Sequence, residues 1–309
     1  VFVHEYGHYY FAKKYGVGVT DFSIGFGKEL FGLKDKYGTR WKFCLIPLGG
    51  YVKFFGDRNV FSQSEQEEIL KRYDTSDQKK LFAVKPLYQR SLIVAGGPLA
   101  NFLLAILIFT FIFMFSGKDF TPAKISEVQQ NSPASEAGLL KNDIILSVNK
   151  NKVNSVLEVS TFINTSNKKE ISFLILRNNE EINFQIQPKE INGEDSFGNS
   201  IKKKVIGIQI SPLANEINKI KLGPATAIYY ATKETWFVTK TSLEYIFLLF
   251  RGKGDTSQLG GPIKIAKITG QVSQFGLIAF LSIMAYISIS LGLINLFPIP
   301  MLDGGHLMF

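Results

Sequence analysis

The sequence predicts a multispan α-helical membrane protein with a small α/β module inserted between its spans, and three observations carry that prediction. Across 309 residues the chain is 46% hydrophobic yet 20% charged, with a mean hydropathy of +0.10. That mixture suits apolar spans joined to soluble parts. The run from Leu92 to Ser116 has no charged residue and is dense in Leu, Ile, Phe and Ala, about the length that crosses a hydrocarbon core. A second uncharged stretch, Gln271 to Leu302, is interrupted only near its end by Pro298 and Pro300 and reads as a further span.

Each remaining element follows from local pattern. From Val1 to about Tyr15 the chain is apolar and aromatic, and Lys13 and Lys14 close it before Gly16, as at a helix end on a membrane surface. It reads as the C-terminal half of a first span, and both ends of the chain are expected to continue beyond this sequence. Residues 21–55 carry Gly25 and Gly27, a charged turn around Asp35 to Arg40, and alternation at Trp41, Phe43 and Leu45 before Gly49 and Gly50. Those are hairpin signals. The polar stretch from Arg58 to Arg90 is expected as a loop or short helices.

After the second span, short β-rich runs at Ile144–Val148, Ile171–Leu176 and Ile182–Ile186 surround one amphipathic stretch near Val156 to Ile163. A soluble α/β module of about 70 residues fits. Residues 191–222, polar at their start, are expected as linker and extension. Gly223 to Arg251, rich in aromatics beside Lys233, Glu234 and Lys240, is expected as an amphipathic helix lying on the membrane.

A net charge of +9 raises the possibility of nucleic acid. The basic residues are scattered and no nucleic-acid motif accompanies them, so contact with anionic lipid headgroups is the better reading. The single cysteine, Cys44, excludes an intrachain disulfide and leaves no thiolate cluster. A bound metal must therefore use nitrogen and oxygen ligands.

His4-Glu5-Tyr6-Gly7-His8 is an HExxH sequence. On a helix the i, i+4 spacing places both imidazoles on one face, able to share one Zn²⁺, with Glu5 beside them as a base for water. The plainer alternative is two histidines at a helix end making ordinary hydrogen bonds. Against it, two of the chain's 3 histidines fall in this motif, in an apolar helix where ionisable groups are costly. Catalytic zinc normally takes three protein ligands. Asp303 lies in Asn295-Leu296-Phe297-Pro298-Ile299-Pro300-Met301-Leu302-Asp303-Gly304-Gly305, where prolines and glycines break a membrane helix and free backbone groups that need partners.

HExxH on a first span paired with N-x-x-P-x-P-x-L-D-G on a later one resembles the site-2 protease family of intramembrane zinc metalloproteases, closest to the bacterial regulator of sigma E protease group. The resemblance continues through Asp21–Gly27, Pro47–Lys53, Ala95–Phe102 and Gly260–Ile263. It implies His4, His8 and Asp303 as ligands of Zn²⁺ and Glu5 as the catalytic base. Asn295, Pro298 and Pro300, with Gly49 and Gly50 of a membrane-associated β-hairpin, are implied to hold an unwound substrate segment. Asn101 matches the family's glycine-rich helix start, where a packing amide is an equal reading. His306 is not expected as a ligand, since three are already supplied.

Ser132-Pro133-Ala134, Glu136–Leu139 and Asp143–Asn149 resemble the start of a bacterial PDZ domain, a fold that takes an extended peptide as an added strand. The expected organisation is a first part of the protease core at 1–117, a PDZ-like domain at 118–190, linker and extension at 191–222, and a helix with the later span at 223–309. The implied substrates are single-span membrane proteins such as anti-sigma factors or signal-peptide remnants, which the PDZ-like domain contacts at an ectodomain or C-terminus. The implied setting is multi-pass, in the bacterial inner membrane. Basic residues flank the second span on both sides, Lys79, Lys80, Lys85 and Arg90 before it and Lys118, Lys124 and Lys141 after it; the denser cluster before it favours that side as cytoplasmic and the PDZ-like domain as external.

Overall fold

The computed structural model describes residues 1–56, 73–166, 168–194, 200–210, 217–252, 261–300 and 302–308. The chain begins α1 (Phe2–Lys14), β1 (Val19–Lys34), β2 (Arg40–Phe54), α2 (Thr75–Gln78) and α3 (Leu87–Phe115). It continues β3 (Lys118–Asp119), β4 (Glu127–Val128), α4 (Pro133–Glu136), β5 (Ile144–Val148), β6 (Asn151–Lys152) and α5 (Val156–Thr165). Next come β7 (Ile171–Arg177), β8 (Glu180–Ile186), β9 (Lys189–Glu194), β10 (Ser200–Val205), β11 (Ile208–Gln209) and β12 (Lys219–Ile220). The described chain closes with α6 (Pro224–Phe250), α7 (Pro262–Ser273), α8 (Leu277–Asn295) and α9 (Asp303–Met308). These elements fall into two compact units, Val1–Leu107 with Met284–Phe309, and Ile108–Ile283.

In the first unit, α1 stops where Gly16 takes φ +67. The Gly16 amide donates to Lys13 O and the Val17 amide to Ala12 O, a glycine-terminated cap that satisfies the last carbonyls. Ala12, Val17, Val19 and Ile93 form a small buried cluster, which sets α1 against α3 and the base of the hairpin. In β1, Asp21 to Ile24 each have partners at both 50–53 and 40–43 of β2, while 31–34 pair with 40–43. The ribbon therefore folds back on itself and is more than a plain two-strand hairpin.

Among the described residues two helices, Leu87–Phe115 and Leu277–Asn295, are long and apolar enough to cross a membrane, with mean hydropathies of 2.4 and 2.3. Only 33% and 28% of their most apolar windows are buried, whereas the core helix of a soluble protein is mostly covered. On α3 the exposed large side chains Leu99, Leu103, Leu107, Phe111 and Phe115 recur every four residues, so one continuous stripe is left uncovered. The later uncharged stretch is not one continuous helix from Gln271. Helix α7 ends at Ser273, Gly276 takes φ +99, and α8 starts at Leu277; a left-handed residue cannot continue a right-handed helix.

The second unit contains a four-stranded antiparallel sheet in the order β6-β5-β7-β8. Two tight turns build it, Asn149-Lys150 and Asn178-Asn179, each with both residues at positive φ, as two-residue hairpins with the native strand twist require. The sheet buries Ile145, Val148, Ile171, Phe173, Ile175 and Ile186 against Val159 and Ile163 of α5. The expected boundary at 190 is too early. Ile206 is buried in the same core, with Ile208 and Ile210 packed on it, and β11 pairs with β4 while β12 pairs with β3. Residues 191–222 are thus partly strand, tied into the module by burial and backbone pairing. Of the stretch expected as a loop from Arg58 to Arg90, residues 58–72 lie outside the described residues.

Candidate metal centre

The HExxH turn of α1 faces α3 across a contact that only glycine permits. A Cβ on Gly7 would collide with the backbone of Gly96 and lie 2.9 Å from Ala100 Cβ. Small residues let two helix backbones meet this closely. Gly97 lies under both imidazoles, where a Cβ would run into His8 Nε2 and stand 2.8 Å from His4 Cε1. His4 and His8 are buried, at 6% and 8% exposure.

Asp303 reaches them because α8 stops at Asn295 and the chain reverses. Pro298 has no amide to continue the helix, and its ring disfavours helical backbone just before it. The reversal closes with Leu302 N donating to Ile299 O and Gly305 N to Leu302 O. Gly304 and Gly305 lie against the carbonyls of Leu296, Phe297 and Ile299, so side chains at those two positions would block the turn. Asp303 starts α9, its side chain 20% exposed.

Three atoms converge. His4 Nε2 is 3.2 Å from His8 Nε2, and Asp303 Oδ2 is 3.1 Å from the first and 3.4 Å from the second. A tetrahedral zinc with bonds of about 2.0–2.1 Å separates its ligand atoms by about 3.3 Å. The three edges match that spacing. His8 Nδ1 lies 2.9 Å from the carbonyl oxygen of Ile93, which can only accept, so Nδ1 carries the proton and Nε2 of the neutral ring presents a lone pair. Asp303 Oδ2 is buried and, apart from these two ring nitrogens, has no hydrogen-bond partner. Buried lone pairs aimed at one point without a proton between them repel unless a cation sits there. The donor set, two imidazoles and a carboxylate, suits Zn²⁺.

The other expected residues divide. Glu5 is half-buried one position after His4, and a Cβ on Gly50 would lie 3.1 Å from Glu5 Cγ, so strand β2 passes directly beside it. Gly49, at φ +114, lies over the ring of Phe26. Asn295 Nδ2 is 3.3 Å from His4 Nε2. Pro298 and Pro300 are exposed in the reversal and shape it. The side chain of His306 lies outside the described residues. Asn101, left open by the sequence, is buried with Nδ2 3.1 Å from His4 Nδ1. The available signal was a lone amide in an uncharged span, where polar groups are expensive.

The sequence profile of Peptidase family M50 matches residues 1–309. A relative in Mesorhizobium japonicum, provisionally named a zinc metalloprotease, is 38% identical over 309 residues, covering 100% of this chain and 84% of its own. A similarly named protein of Rickettsia conorii is 39% identical over 310 residues, with 100% and 84% covered. Metalloprotease MmpA of Caulobacter vibrioides is 33% identical over 335 residues, covering 100% of this chain and 82% of its own. A solved PDZ domain of an SdrC-like protein from Listeria monocytogenes overlays 29% of this chain and 88% of its own, at 18% identity and TM-score 0.24. With the profile matched from the first residue to the last, and with relatives above 30% identity along the whole chain, this chain belongs to peptidase family M50 and is a zinc metalloprotease.

Proposed function

We propose that this protease hydrolyses peptide bonds within or beside the transmembrane segment of single-span membrane proteins, with His4, His8 and Asp303 as the zinc ligands and Glu5 as the catalytic base. The observation that carries the reading is the meeting of His4 Nε2, His8 Nε2 and the buried Asp303 Oδ2 at 3.1–3.4 Å. They meet between two helices with largely uncovered apolar surfaces. When bound, zinc polarises the scissile carbonyl and lowers the pKa of the attacking water. Glu5 takes that water's proton and later delivers it to the leaving amine.

Strand β2 runs beside Glu5 at Gly50, which favours a substrate unwound from its helix and held as an extended segment along the hairpin. Pairing would satisfy backbone groups that lipid leaves bare. Asn295, 3.3 Å from His4 Nε2, and the bend made by Pro298 and Pro300 would help position that segment. The α/β module, read as PDZ-like, contacts the substrate's ectodomain or C-terminus on the external side of a multi-pass protein in the bacterial inner membrane. Anti-sigma factors and signal-peptide remnants are the substrate types the reading favours.

The test uses the full-length protein in detergent or nanodiscs with a model transmembrane peptide. Glu5→Gln abolishes cleavage with zinc retained, and Asp303→Asn lowers zinc content. Ordinary cleavage by Glu5→Gln would sink the mechanism.

A further inference from the structure

We propose that Asn101 is a positioning residue that fixes the tautomer of His4, its Oδ1 accepting the Nδ1 proton so that Nε2 is free for the metal. The proposal rests on the reading of His4 as a ligand. A neutral imidazole has one proton, and a ring that ligates through Nε2 must carry that proton on Nδ1. A buried N–H then needs an acceptor. His8 finds one in the Ile93 carbonyl of α3. At His4 Nδ1, in the same position on its own ring, stands the Asn101 amide of α3, 3.1 Å away.

With Nδ2 facing Nδ1, as the amide is placed, the ring would have to accept there and carry its proton on Nε2, which would then point at His8 Nε2 and Asp303 Oδ2. A proton there would fill the point where the three atoms converge and leave His4 no lone pair for a metal. Half a turn about the last side-chain bond of Asn101 exchanges oxygen and nitrogen in nearly the same space; the Nδ1 proton then has its acceptor, and the Nε2 lone pairs of His4 and His8 both face Asp303 Oδ2.

Asn101 is well fixed for this role. It is 2% exposed, its backbone oxygen accepts from Ser288 Oγ at 2.8 Å, and Gly292 of α8 lies so near that a Cβ there would be 3.2 Å from Asn101 Cβ. The helix carrying Asn295 thus braces the amide that orients His4. Partners one step behind a metal ligand typically change metal affinity by about 10- to 100-fold when removed.

The experiment is chelator competition for zinc on full-length protein, with the melting temperature of each zinc-loaded variant measured alongside. Asn101→Leu and Asn101→Ala remove the acceptor and weaken zinc binding by about 10- to 100-fold. Asn101→Asp can accept but not donate, and holds zinc within about threefold of wild type or more tightly. A simple packing role predicts instead that Asn101→Leu, branched at the same carbon and lacking only the acceptor, keeps its zinc. Wild-type affinity in Asn101→Leu, or an affinity in Asn101→Asp as poor as in Asn101→Leu, overturns the proposal. Should the apolar variants not accumulate, Asn101→Asp supports the proposal by holding zinc more tightly than wild type, since a carboxylate is the stronger acceptor, and overturns it by losing zinc or by leaving the affinity unchanged. Asp303→Asn is the control for the ligand reading. If it keeps full zinc affinity, the assignment of the ligands has failed, separately from Asn101.

Discussion

The backbones of Gly7 and Gly96 touch: a Cβ on Gly96 would sit 2.7 Å from the carbonyl oxygen of Gly7, and one on Gly7 would collide with Gly96 itself. Because the obstacle is backbone, no side-chain rotation relieves it. The contact sets the depth at which His4 and His8 sit against α3.

Substitution at Gly96 therefore acts on the metal centre from outside it. Gly96→Ala forces the two helices apart, at an overpacking cost of about 1–3 kcal/mol. Gly97→Ala adds a methyl directly under His8 Nε2 and displaces the ring. Both variants should lose zinc affinity by about tenfold or more, a change of ~1.4 kcal/mol, as read by chelator competition. Wild-type zinc affinity in Gly97→Ala would show that the imidazoles do not lie where the structure places them.

Gly50 tests the passage of β2 beside the base. An alanine Cβ there would lie 2.6 Å from Ser23 O and 3.1 Å from Glu5 Cγ, so either the strand or Glu5 must move. None of the three proposed ligands is among the three atoms nearest to that Cβ. The expected result for Gly50→Ala is normal zinc content with turnover reduced by about 10- to 100-fold, the range for a misplacement near 1 Å at a reacting group. Loss of zinc together with turnover would mean that the strand supports the metal and not the base.

The turn of the β ribbon is held to α1 by one carboxylate. Asp35 accepts from Tyr9 Oη at 3.0 Å, Trp41 Nε1 at 3.1 Å, and the amides of Tyr37 and Thr39 at 2.9 Å. Burial pushes its carboxyl up, but the donors from Trp41, Thr39, Tyr9 and Tyr37 outweigh burial and leave it below the usual aspartate range. A lowered folded-state pKa means that the stabilisation is fully present above the unfolded value of about 3.9 and is lost as pH falls through the folded one. In a Trp236→Phe background, Trp41 emission should be constant from neutral pH to about 4 and change below it. Asp35→Ala should show the changed emission at every pH, and an acid transition that persists in that variant would assign the effect to another group.

Legibility in the sequence followed the range of the interaction. His4 and His8 sit about one helical turn apart, so their spacing alone shows that they share a face, with Glu5 beside them. Asp303 was readable because Pro298, Pro300, Gly304 and Gly305 announce a helix break that lipid would not tolerate without partners. Asn101 was not, since its role depends on a partner 97 positions away and a single amide in a span reads equally as packing. The strand at 208–209 was missed because the Lys202–Lys204 run resembles a linker, although Ile206, Ile208 and Ile210 alternate as a half-buried strand should. Gly276 lay unnoticed in a hydrophobic run, where composition reports apolarity but not backbone handedness.

The α/β module is fastened to α6 by a pair whose worth depends on being complete. Lys118 Nζ lies 2.9 Å from Glu234 Oε2, the two side chains only 12% and 19% exposed, and over the rings of Phe113 at 4.8 Å and Tyr230 at 5.8 Å. Beside it Phe162 of α5 meets Phe237 of α6 edge to face. Removing one partner of a buried pair costs about 3–5 kcal/mol because the other charge stays behind, while replacing both with apolar groups is often neutral. Lys118→Met should thus raise hydrogen exchange across residues 224–250 of the full-length protein, and Lys118→Met with Glu234→Leu should restore most of the protection. Glu158 adds a pH signature. Burial first, and the Glu234 charge further, push its carboxyl above the ordinary glutamate range, against hydrogen bonds from Asn154 and the charge of Lys118. A raised folded-state pKa favours the folded form below the unfolded value and loses that benefit as pH rises through the folded one. Taking away Lys118 removes a charge that opposes the rise. The protection lost in Lys118→Met should therefore recover in part on acidification, and more than in the Lys118→Met, Glu158→Gln double variant. Equal recovery in the two would show that Glu158 does not sense this pair.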